Sequence, residues 1–158
     1  MLFKKRKLGR LIHDLQIGEQ YEKKVKIYDK DLLLYLGLTD DSNPLYIQHD
    51  YASQTPYKRP LVPSVMLYGF ISTIVTTHLP GPGSHITGNQ LSYPKPVYHD
   101  DEIHLKLEII KIDESNHRVS LQVYATDSVE DIVIEGEMEV CPPYQAESII
   151  SRSLENFH

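Results

Sequence analysis

The apolar positions change period along the chain, and the changes mark out its elements. Residues 20–28 alternate loosely, with Tyr21, Val25 and Ile27 set against Glu22, Lys24 and Lys26, which predicts a strand. Asp29 or Asp31 then caps a short helix through Leu32, Leu33, Leu34 and Leu36, closed by Gly37. Residues 39–59 are polar, headed by Asp40, Asp41, Ser42, Asn43 and Pro44. That is loop chemistry, with one helical turn at residues 49–53. Residues 60–79 are the most apolar stretch. Met66, Phe70, Ile71 and Ile74 recur at helical spacing while Leu67 and Val75 fill other faces, the mark of a buried helix. Pro63 suits its first turn, and Pro80, Gly81, Pro82 and Gly83 end it.

The remainder returns to period two. Strands are predicted over residues 84–93, 102–112, 118–126 and 132–140, with Ile103, Leu105, Leu107 and Ile109 on one face of the second. Turns at residues 113–116 and 128–131 join the last three strands into an antiparallel meander. An antiparallel sheet wrapped around one long apolar helix satisfies this order, an α+β hotdog arrangement in a single domain. The expected organisation is an N-terminal arm over residues 1–17, the hotdog body over 18–141 and a loose or helical tail over 142–158. A half-wrapped sheet leaves edges, so self-association is expected.

Composition narrows the classes further. With 158 residues, 41% apolar and 24% charged, the chain suits one ordinary core. The single cysteine, Cys141, excludes an intrachain disulfide and fits a cytoplasmic setting. No apolar run reaches the roughly 18 residues of a membrane span. The eight histidines are scattered without a paired ligand motif, so no metal is expected. A Gly-rich phosphate loop and a GxSxG elbow are both absent. The net charge of −6 is uneven, because Lys4, Lys5, Arg6, Lys7 and Arg10 fall in the first ten residues. No apolar segment follows them as in a signal peptide, and the arm reads as a solvated terminus. The acidic body argues against nucleic-acid binding.

The informative segment is Asp41-Ser42-Asn43-Pro44-Leu45-Tyr46, followed by Tyr51-Ala52 and by Arg59-Pro60-Leu61-Val62-Pro63-Ser64-Val65-Met66-Leu67. On residue chemistry alone, Asp41, Asn43 and Pro44 are ordinary turn formers, and a plain loop entering a helix accounts for them equally well. Together, however, the segment resembles the MaoC-like dehydratases, and within them the (R)-specific enoyl-CoA hydratases. Their motif reads approximately D-x-N-P-L-H, a Y/F-A pair, then F-x-R-P-I-V-H-G-M-L. The likeness runs on through Leu79-Pro80-Gly81-Pro82-Gly83-Ser84 and Leu91-Ser92-Tyr93-Pro94-Lys95-Pro96-Val97.

The sheet edges imply a homodimer or higher oligomer joined edge to edge, and the resemblance implies an acyl- or enoyl-CoA thioester with no cofactor beyond that ligand. In the family, the aspartate and histidine of the motif activate a water that adds to the β-carbon of a trans-2-enoyl thioester. A glycine N–H at the start of the buried helix meets the thioester oxygen. Carried over, Asp41 falls on the aspartate, Ser64 on the glycine, and Ser72 on a serine near the catalytic pair. Asn43, Pro44 and Met66 fall in the matched segments, and Lys58, Arg59 and Lys95 are the basic side chains beside them that suit the CoA phosphates. Two positions depart: Tyr46 stands where the histidine belongs, and Pro63-Ser64 replaces His-Gly. A tyrosine with a pKa of about 10 is a poor base at neutral pH. His49 is the nearest imidazole in sequence to replace it. An active hydratase with altered acid–base groups, a non-catalytic acyl-CoA-binding module and a thioesterase are the readings this leaves open.

Overall fold

The structure is a computed structural model that describes residues 7–145. Five strands form one antiparallel sheet: β1 (Gln20–Lys26), β2 (His85–Ser92), β3 (Glu102–Asp113), β4 (Arg118–Thr126) and β5 (Ile132–Cys141). Their order is β1-β3-β4-β5-β2, so the expected meander occupies the centre and the first two strands of the sequence close the edges. The helices α1 (Asp29–Thr39), α2 (Pro44–Ile47), α3 (His49–Ser53) and α4 (Ser64–Thr77) all lie between β1 and β2 in the chain.

Alternation along the strands decides which face is buried. Ile103, Leu105, Leu107 and Ile109 of β3 are sealed from solvent together with Val119, Leu121, Val123 and Ala125 of β4. Against this face packs α4, whose Leu67, Ile71, Ile74 and Val75 are the buried residues of the helix. Burying a side chain of this size contributes about 1.5–3 kcal/mol each, so the helix–sheet interface dominates the stability of the fold. β5 must pass close to β2, and Gly136 permits it: its φ is 150°, and a Cβ there would lie 2.0 Å from the Gln90 carbonyl oxygen.

Four expectations change in detail. The first helix is capped from Tyr28, whose N–H donates to Asp31 Oδ2 at 3.0 Å. It also runs past Gly37 to Thr39, ending where Asp40 takes φ 54° and donates its N–H to the Leu36 carbonyl. Aspartate tolerates the left-handed region, so the stop falls there. The polar segment folds into two short helices rather than one turn, because Asn43 caps and Pro44 begins α2. Pro63 is the N-cap of α4 and Ser64 its first residue. Residues 7–17 of the basic arm are not a solvated terminus: Gly9 and Arg10 donate their N–H groups to the Pro82 and Pro80 carbonyls, and Leu15 is in the core. Lys4, Lys5 and Arg6, and the tail from residue 146, lie outside the described residues. Among the described residues no helix is long and apolar enough to cross a membrane.

Candidate active site

The motif is built by local hydrogen bonds. Asn43 Oδ1 accepts from the Leu45 N–H at 3.0 Å, and Asp41 Oδ1 accepts from the Asn43 N–H at 3.3 Å. Pro44 occupies the first turn of α2, where its missing N–H costs nothing. The other oxygen of Asp41, Oδ2, accepts from the Tyr35 hydroxyl at 2.8 Å. That hydrogen bond, followed by burial, raises the Tyr35 pKa above its ordinary value. Tyr35 was not legible as a site residue, although it lies six positions before Asp41 and on the helix leading into the motif.

Tyr46, carried by α2, lies close enough to Tyr35 to add to the rise in its pKa. It lines a cavity of about 490 Å³ with one apolar side formed by Leu32, Leu33 and Leu36 of α1. The polar lining includes Arg59, His49, Asp29 and His99. Arg59 lies over the Tyr98 ring, 4.0 Å from its centroid, and the Tyr98 hydroxyl donates to the Tyr57 carbonyl at 2.8 Å. The stacked guanidinium is thereby held at the cavity wall. A space of this volume, apolar on one side with a few convergent polar groups, has the properties of a small-molecule site.

The other candidates are spread more widely. Ser64 opens α4, and no backbone hydrogen bond from its N–H is formed among the described residues, which leaves a donor at the helix start. Ser72 is half-buried two turns on, and its carbonyl accepts from Thr76 Oγ1 at 3.0 Å. Met66 packs partly buried against the core. None of these three α4 residues lines the cavity that holds Tyr46. Lys58 is exposed in the turn before Arg59, with φ 71°. Lys95 is occupied: its Nζ lies 2.7 Å from Asp127 Oδ2 and 2.8 Å from Asp131 Oδ2. These two carboxylates hold the Lys95 pKa well above its usual range.

The chain is similar to known proteins over most of its length. An (R)-specific enoyl-CoA hydratase of Rhodospirillum rubrum is 29% identical over 130 residues, covering 82% of this chain and 90% of that protein. A 3-hydroxybutyryl-CoA dehydratase of Methylorubrum extorquens is 29% identical over 136 residues, covering 85% of each. Among solved structures, the unliganded R-hydratase PhaJ1 of Pseudomonas aeruginosa superposes with a TM-score of 0.78 at 26% identity, over 89% of this chain and 94% of that one. The fold is therefore the hotdog fold shared with these hydratases. The family model described as "MaoC like domain" matches residues 14–131, most of the chain, and the protein belongs to that family.

Proposed function

We propose that the protein binds acyl-CoA thioesters and interconverts trans-2-enoyl-CoA and 3-hydroxyacyl-CoA by adding or removing water, at a rate limited by the loss of the motif histidine. The observation that carries this reading is the family's D-x-N-P turn, kept intact by the Asn43 cap and placing Tyr46 on a ligand-sized cavity. Asp41, Tyr46, Ser64 and Ser72 are the proposed catalytic positions. The free N–H at Ser64 is the proposed donor to the thioester oxygen, favoured by the positive end of the α4 dipole. Asn43, Pro44 and Met66 are the proposed substrate-binding positions. Arg59, with Lys58 beside it, meets the CoA phosphates; Lys95 reaches them only by leaving its two carboxylates.

One observation favours a second reading. Tyr46 supplies no imidazole, and Asp41 already accepts the Tyr35 hydroxyl, as suits a binding module without turnover. Crotonyl-CoA separates the readings. Loss of the conjugated thioester absorbance without free thiol is the expected result, and thiol release instead identifies a thioesterase. Saturable binding with neither signal identifies the module. Tyr46→His should raise the hydration rate at least about tenfold, since imidazole titrates near the working pH. Ser64→Gly can be added if the serine side chain keeps the thioester from the N–H. A homodimer is part of the same proposal, and it is supported by the apolar surface of α1 away from the cavity, where Leu34 and Leu38 are 71% and 85% exposed. Sedimentation should give twice the 18.2 kDa of one chain.

A further inference from the structure

The cavity that Tyr46 lines contains a second acid–base arrangement, contributed by segments far apart in sequence. The β1–β3 ladder continues past its last paired residues, Lys26 and Glu102. The Ile27 N–H donates to the Asp101 carbonyl at 3.1 Å, and the Asp100 N–H donates to the Ile27 carbonyl at 2.8 Å. These two bonds set the start of α1 beside the loop entering β3, so Asp29 and His99 become neighbours. His99 Nδ1 lies 3.2 Å from Asp29 Oδ1. The imidazole is 17% exposed, and Nδ1 is buried with no aligned hydrogen-bond partner. The carboxylate is thus in ion-pair range but off the N–H axis, an arrangement that tightens with a small rotation of the ring. The loop itself is fixed, because the Tyr98 N–H donates to Asp101 Oδ2 at 2.9 Å. His99 therefore sits between two anchored residues.

We propose that His99, oriented by Asp29, is the acid–base residue of this cavity and stands in, less effectively, for the imidazole that Tyr46 lacks. This rests on the hydratase reading above and deepens it. A ring turned so that its Nδ1 proton meets Asp29 keeps Nε2 as the acceptor for a ligand in the cavity. Nε2 takes a proton from water as the water oxygen bonds to the β-carbon of the enoyl thioester. The electron pair of the α,β double bond moves onto the α-carbon and the thioester oxygen. The proton on Nε2 then passes to the α-carbon, so the imidazole ends neutral and one water has been added. The leucines of the cavity suit the acyl chain, and Arg59, stacked on Tyr98, offers a fixed positive charge in the same lining. His49 shares the cavity but is exposed at the start of α3, and no side-chain bond in the described residues orients it. Asp29 acts only through His99 and is a positioning residue.

The test is steady-state hydration of crotonyl-CoA by the wild-type protein, His99→Gln, His99→Ala and Asp29→Asn, with butyryl-CoA binding measured in parallel. Removal of a positioned base costs about 10²–10⁴ in rate, so His99→Gln should lose at least about 100-fold in kcat while KM and butyryl-CoA affinity stay within about threefold. Added imidazole should restore part of the activity of His99→Ala, which a purely structural role does not allow. Asp29 is 83% exposed, so Asp29→Asn keeps the fold and should lower kcat about tenfold at constant KM. An active wild-type protein with an undiminished His99→Gln or Asp29→Asn overturns this proposal and leaves the hydratase reading standing. Loss of kcat in His99→Ala without imidazole rescue also overturns it. A wild-type protein that binds butyryl-CoA but hydrates nothing overturns both.

Discussion

The Tyr35 hydroxyl donates to Asp41 Oδ2 at 2.8 Å, and this one bond occupies the second oxygen of the motif aspartate. A donor on a carboxylate is held most firmly while the phenol stays protonated. Because the Tyr35 pKa is raised, chiefly by that bond and then by burial, the stabilisation is complete below the ordinary value of 10.0 and is lost as the pH rises through the higher folded value. Alkaline spectrophotometric titration should therefore show a late-titrating tyrosine that disappears in Tyr35→Phe; an unchanged curve would contradict the assignment. A second single-residue test is Gly136→Ala, which places a Cβ 2.0 Å from the Gln90 carbonyl oxygen at a φ of 150°. Backbone strain alone costs about 1–3 kcal/mol, and the clash adds to it, so the urea midpoint should fall sharply. At this scale the sequence was partly readable. Asn43 and Pro44 announce a cap and a first turn through their own chemistry, but the pairing of His99 with Asp29 joins positions 70 residues apart through the β1–β3 ladder and leaves no local mark.

Among the elements, those with a strong period were legible and those held by single polar contacts were not. The alternation of β3, β4 and β5 and the apolar faces of α4 predicted their positions to within a residue or two. The helix α2, four residues long, has no period to display and exists because of its cap. The β4–β5 turn is also made by polar contacts. Asp127 Oδ1 accepts the Val129 and Asp131 N–H groups at 3.1 and 2.9 Å, while Oδ2 takes Lys95 from the β2–β3 connection. Burial pushes the Asp127 carboxyl up, but Lys95 and the two N–H groups outweigh it and leave its pKa lowered. Such a group contributes its stability above the ordinary carboxyl value of 3.8 and loses it as the pH falls through the depressed one. The melting temperatures of wild type and Lys95→Met should therefore differ at pH 6 and converge on acidification. A gap that stays constant down to pH 2.5 would show that Lys95 acts through packing alone.

For the molecule as a whole, the period-two and helical signals were enough to give one α+β domain. What they left out was the set of contacts that only the closed chain creates, including the Gly9 and Arg10 bonds to the loop after α4. The sheet order also has a consequence in time. β3, β4 and β5 are joined by short turns and can pair as soon as they exist, whereas β1 must reach β3 across all four helices and β2 must reach β5 across the meander. Closing the longer loops costs entropy before any contact compensates for it. The central hairpins should accordingly form the nucleus, with the two edge strands docking afterwards. Stopped-flow refolding should show Leu121→Ala slowing folding, while Val25→Ala leaves the folding limb nearly unchanged and mainly accelerates unfolding. The assembly order would then run from the centre of the sheet outward, and helices α1 to α3, with the cavity they line, would be the last part to acquire its shape.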